Sequence, residues 1–161
     1  MKTQIAKPSL DAAVQHLFDE EVYLTGITEY GVSWEGLASG MEAPPPQGAR
    51  FDIAFEGRVF GEKVNGQVRG VDYLEVRADG KFILTLHGTI TTDDGAVISL
   101  EEKGTMAIKP NGDGQLYLTM NFSTAHPEYQ WLNDKQVWGT GISFLSEGEG
   151  RVTISGFGPS A

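Results

Sequence analysis

Residues 66–108 read GQVRGVDYLEVRADGKFILTLHGTITTDDGAVISLEEKGTMAI, and this stretch decides the fold. Two Asp-Gly pairs, Asp79-Gly80 and Asp94-Gly95, divide it into three runs of alternating character. Asp-Gly between alternating runs is a strong short-range hairpin signal, so the stretch predicts a three-stranded meander. The even positions are mostly apolar: Val68, Leu74 and Val76, then Phe82, Leu84, Leu86 and Ile90, then Ile98, Leu100 and Met106. The odd positions are mostly polar, among them Gln67, Arg69, Glu75, Thr85, His87, Ser99 and Lys103. A side-chain period of two therefore assigns one buried face to all three strands. Two residues interrupt that face, Asp72 and Glu102.

The same alternation extends outward on both sides. Phe51, Ile53, Phe55 and Val59 alternate with polar residues, as do Leu116, Leu118, Met120 and Phe122. VWGTGISFL at 137–145 and RVTISGF at 151–157 continue the series. VYLTGITEYGVSWEGLA, from Val22, reads as one or two strands broken by glycine. Upstream, SLDAAVQHLFDE places Leu10, Ala13, Val14, Leu17 and Phe18 at helical spacing, which predicts a helix over 9–20. The expectation is an all-β chain. It is a single domain over 1–161, an antiparallel β-barrel of eight to ten strands over 22–158 with one N-terminal helix. A two-sheet sandwich is the alternative.

Composition narrows the function. The 161 residues suffice for one domain with its own core. Twenty-one glycines, nearly twice the usual share of about 7 %, sit in turns and inside strand patterns, as sharply bent sheets require. A formal net charge of −10 argues against nucleic-acid and anionic-membrane partners, which require clustered lysine and arginine. No cysteine is present, so no disulfide, thiol nucleophile or cysteine metal site is expected. His16, His87 and His126 are far apart, and neither a GxSxG elbow nor a P-loop occurs. No cofactor is expected. The N-terminal residues lack the apolar run of a signal peptide, so the expected location is cytoplasmic.

A carboxylate on an apolar face is costly unless it is bonded, neutralised or used. Asp72 and Glu102 are therefore the candidate catalytic pair, base and proton donor, in a cavity lined by Tyr30, Trp34 and Trp138. Gly88, on the strand between them, is expected to leave space. Trp131 is a candidate rim or gate residue. The structural alternatives are that a bulge turns Glu102 outward and that Asp72 bonds backbone.

The motifs Gly70–Tyr73, Val76–Gly80, Thr92–Ile98, Phe122–Thr124 and Tyr129–Asn133 together resemble the proteins called domain of unknown function 3237. The resemblance covers about residues 22–158 and implies a small calycin-like or allene-oxide-cyclase-like barrel. Such a barrel hosts binders and cofactor-free isomerases, cyclases and lyases alike. Asp72 fits the family pattern. Glu101-Glu102-Lys103 stands where the family usually has Arg-Asn-Arg, so Glu102 is this member's own addition. The expected function is a cofactor-free lyase or isomerase acting on a small apolar or aromatic molecule, with a lipocalin-like carrier or a filled structural barrel as alternatives. The expected partner is that small molecule, with a homodimer possible.

Overall fold

The structure, a computed structural model, describes Thr3, Gln4, Ala6 and residues 14–159. Eight antiparallel strands close in sequence order into one barrel. They are β1 (Val14–Glu29), β2 (Ala49–Phe60), β3 (Gly66–Val76), β4 (Phe82–Thr92), β5 (Val97–Ile108), β6 (Gly114–Ser123), β7 (Val137–Ser143) and β8 (Arg151–Pro159). β8 pairs with β1, so no edge is left exposed. The sandwich alternative is thereby excluded.

Three hairpins share one device. In each, a three-residue loop ends on a glycine of positive φ: Gly80 at 88°, Gly95 at 93° and Gly112 at 91°. The loops are closed by Lys81, Ala96 and Asp113 carbonyls accepting from the N–H groups of Arg77, Thr92 and Lys109. The left-handed glycine twists each loop to match the strands it joins.

The predicted N-terminal helix is not formed over its described part, and residues 9–13 lie outside the described residues. Residues 14–20 belong to β1. The helical spacing arose from a β-bulge between His16 and Phe18, which slips the register against β8. The slip leaves adjacent Leu17 and Phe18 both buried, mimicking a helical stripe. A second correction concerns WEGLA. It forms a short helix, α1 (Trp34–Ala38), because the Ser33 hydroxyl accepts from the Gly36 N–H and caps it.

The interior has two unlike halves. At the end holding the 124–136 connection, Phe18, Val59, Val68, Ile90, Ile98, Leu100, Met120 and Leu132 are almost wholly buried and pack solid. Phe18 meets Phe122 edge-on at 5.7 Å. Gly156 makes room for that ring, since a Cβ there would lie 2.6 Å from it. A 3-10 helix, Pro127–Leu132, closes this end. The other end carries α1, and there the interior is hollow.

Candidate active site

β3, β4 and β5 run side by side, and one register row crosses them: Asp72 opposite Leu86, Leu86 opposite Glu102. All three side chains point inward, as the period-two reading requires. Glu102 is not bulged outward, because β5 holds continuous register with both β4 and β6 around it. Asp72 does bond backbone: its Oδ1 accepts from the Thr85 N–H at 3.2 Å. Register pairing of β3 with β4 lapses between Asp72–Leu86 and Glu75–Ile83, and the carboxylate takes up the Thr85 donor within that gap. Backbone bonding and exposure to the cavity thus coexist in Asp72.

A third acid joins them. Glu20, on β1, is buried to 3 % exposure, beside 1 % for Glu102 and 8 % for Asp72. β1 and β5 lie four strands apart in a ring of eight, so Glu20 and Glu102 face each other across the lumen. They share a hydrogen bond. The remaining oxygens, Glu20 Oε1 and Glu102 Oε2, have no hydrogen-bond partner.

These acids border a cavity with about 60 Å³ open to the centre of a water molecule. One water needs about 10–15 Å³ in that measure. Empty space within it and at its mouth totals about 620 Å³. The rest of the wall is almost entirely apolar: Leu24, Ile53, Leu74, Leu84, Met106 and Ile154, with Ser143 near the mouth. Among the described residues, no lysine, arginine or histidine lines it. Burial, with no cation to offset it, pushes Asp72 up to about 7, and the Thr85 N–H only partly opposes this. Burial likewise raises Glu20 to about 7, against the hydrogen bond from Glu102. Glu102 is raised well above the usual carboxyl range, first by burial, then by the Glu20 charge and hydrogen bond, and last by the Asp72 charge.

Of the expected wall residues, Trp34 lines the cavity. Its ring meets Phe51 edge-on at 5.3 Å and Phe82 at 6.4 Å, and Glu29 accepts its backbone N–H. The other three lie elsewhere. Tyr30 is 58 % exposed and donates to Asp52 on the outer surface at 2.6 Å. Trp138 is 49 % exposed, because on β7 the inward positions are Val137, Gly139, Gly141 and Ser143. Trp131 sits at the closed end beneath the Lys63 ammonium, 5.6 Å from the ring centre. Gly88 does not open the expected space, since the Phe55 ring lies over Gly70 and Gly88. His87 is on the outer face against Tyr73. Among the described residues no three His, Asp or Glu side chains are placed to hold a metal ion. No described helix is long and apolar enough to cross a membrane.

The sequence reading misses Glu20 because the spacing of its segment predicts a helix. The signal is present: Phe18, Glu20, Val22 and Leu24 alternate with Asp19, Glu21 and Tyr23.

Comparison with known proteins places this barrel among relatives. The hydroalkoxylation enzyme phnH of Penicillium herquei is 33 % identical over 85 residues, which are 52 % of this chain and 51 % of that protein. The chain thus matches about half the length of this relative. A β-barrel-like protein from Acinetobacter baumannii AYE superposes with a TM-score of 0.76 at 23 % identity, over 98 % of this chain and 100 % of that one. An enzyme from Penicillium herquei superposes with a TM-score of 0.66 at 22 % identity, over 99 % and 100 %. These two superpositions establish a shared fold. A model of the family described as protein of unknown function (DUF3237) matches residues 42–156, from the loop before β2 into β8, so Asp72 and Glu102 fall within the match and Glu20 outside it. The chain belongs to that family.

Proposed function

We propose that this chain is a cofactor-independent lyase or isomerase that moves a proton to or from carbon inside the barrel cavity. The observation that carries this reading is the pairing of Asp72 and Glu102 in an apolar cavity that no described cation lines. Two acids held away from their ordinary ionisation can divide the work near neutral pH, one giving a proton and one taking it. Glu102, held well above the usual carboxyl range by burial and the Glu20 charge, is the donor, and Asp72, raised to about 7 and so near the midpoint of its titration at neutrality, is the acceptor.

The partial likeness to a hydroalkoxylation enzyme supports one reaction type. Glu102 protonates one carbon of an alkene while a hydroxyl oxygen of the same molecule bonds to the other carbon. Asp72 accepts the hydroxyl proton. The product is an isomer of the substrate, and returning the proton from Asp72 to Glu102 resets the site. The reverse reaction is again an isomerisation, whereas addition or loss of a separate alcohol at the same carbons is lyase chemistry. The apolar wall suits a neutral substrate with a hydrocarbon body.

The test is conversion of a panel of small alkenyl alcohols and alkenyl phenols to products of unchanged mass, by the native chain and by D72N and E102Q. Loss of conversion in both variants with the fold kept is the expected result. Full activity in D72N would sink the reading. Saturable binding without conversion by the native chain would leave a carrier in its place.

A further inference from the structure

Glu20 is used by no step above, yet it is among the most deeply buried polar groups of the barrel. We propose that Glu20 is a positioning residue: reaching across the lumen from β1, it keeps Glu102 protonated, so that the β5 acid carries a transferable proton. Its purpose rests on reading Glu102 as the donor. The coupling itself is a property of the folded chain and needs no substrate.

Three observations carry the inference. First, the two side chains come from opposite walls and meet, which fixes their approach through the closed barrel rather than through a flexible loop. On the closed-end side of them Phe18, Met120 and Phe122 are buried, so neither acid can turn away from the other in that direction. Second, each keeps one oxygen without a partner. Two ionised carboxylates in that position would face each other unscreened, whereas a single proton between them supplies the bond that joins them. Third, among the described residues nothing else in the cavity answers their charge. The titratable groups facing Glu102 are Glu20 from β1 and Asp72 from β3, and the remaining strands present only uncharged side chains to the cavity. Asp72 lies two strands away along the sheet and is engaged by the Thr85 N–H, so Glu20 is the dominant neighbour.

The experiment is titration of the glutamate side-chain carboxyls by carbon-13 NMR in the native chain, E20Q, E20D and D72N. Glu102 is expected to titrate well above the ordinary carboxyl range in the native chain. In E20Q its midpoint should fall by about one pH unit or more, because the like charge is gone and an amide donor faces the carboxylate. E20D, which keeps the charge, should stay closer to the native chain than E20Q does, and D72N should move Glu102 less than E20Q. An unmoved midpoint in E20Q, or a larger movement in D72N, overturns the proposal. Should E20Q fail to fold, the native chain alone decides. A pair sharing a proton titrates in two steps visible at both carboxyls, and separate single-step curves overturn the coupling. Because no substrate is involved, absence of turnover leaves this result standing, and a negative result here leaves the D72N and E102Q conversion test standing.

Discussion

Asp72 and Glu102 stand in one register row with Leu86 between them. Neighbouring strands lie about 4.8 Å apart, so the two backbones are separated by roughly 10 Å, less at the side-chain ends where the barrel curves inward. That spacing lets both acids reach one small molecule lodged against Leu86 without bonding each other. It also explains why the Asp72 charge is the weakest of the influences that raise Glu102. An acid and a base that neutralised each other directly would be unavailable to a substrate.

Replacing Asp72 by Asn separates its two duties. The amide oxygen can still accept the Thr85 N–H, so the β3–β4 gap remains filled and stability should change by no more than about 1 kcal/mol. Proton acceptance is lost, and turnover should fall by about 100-fold or more. Thermal unfolding followed by circular dichroism, alongside turnover, checks the separation. A variant that unfolds in parallel with its loss of activity would make Asp72 a structural residue.

The buried acids also set how stability depends on pH. Asp72 and Glu20 are raised to about 7 in the folded chain, above their ordinary values of 3.8 and 4.5. Between those limits the folded state binds more protons than the unfolded state, so this contribution is full below about pH 4 and fades as pH rises through 7. Each group accounts for roughly 3–4 kcal/mol across the window. Asp19, Asp94 and Asp113 are lowered instead, so they lose their stabilising effect at the acid side. Stability should therefore peak at about pH 4 to 5, fall as pH rises to about 7.5, and level off above that. Urea midpoints measured across this range in the native chain and in D72N, whose decline between about pH 4.5 and 7.5 should be shallower, test the assignment. A native chain whose stability does not fall between about pH 4.5 and 7.5 would refute it.

Much of the barrel could be read from the sequence because alternation with a period of two leaves little freedom. Once Asp79-Gly80 and Asp94-Gly95 fixed the turns, every inward residue of β3, β4 and β5 followed, including the two acids that violate the apolar rule. Glu20 was hidden by local irregularity: the bulge beside Phe18 converts a strand into an apparent helical stripe, and only the barrel shows that β1 closes the ring. The aromatic wall failed for a different reason. Residue type alone suggests Tyr30 and Trp138 for the cavity wall and Trp131 for its rim, whereas position on the strand or loop decides which way a ring points. On β7 two of the inward positions are glycines, and at Gly139 a Cβ would crowd Met120 at 3.0 Å and Ile154 at 3.2 Å.

Trp34 closes the hollow end, and its removal should show in two ways. W34A loses the edge-on contacts with Phe51 and Phe82 and should cost about 2 kcal/mol, below the figure for a fully buried tryptophan because α1 is partly exposed. W34F should restore most of that stability. A ligand entering the cavity should quench Trp34 fluorescence, and W34F should lose that response while Trp131 and Trp138 remain. Unchanged quenching in W34F would place the ligand outside the cavity.

Gly70 links the fold to the site. A Cβ there would lie 2.2 Å from the His87 carbonyl oxygen and 2.9 Å from the tip of the Phe55 ring. The carbonyl belongs to the paired strand and cannot yield without opening the ladder, so the added methyl must displace β4, the ring, or both. Phe55 lines the cavity two residues along from Ile53, which faces Asp72, and its displacement would narrow the space beside that acid. G70A should therefore lose about 1–3 kcal/mol of stability and weaken ligand binding together. G80A alters a hairpin residue with open space around it but a φ of 88°, so it should cost stability alone. Comparable losses of binding in G70A and G80A would show that the effect of Gly70 is on stability and does not pass through Phe55.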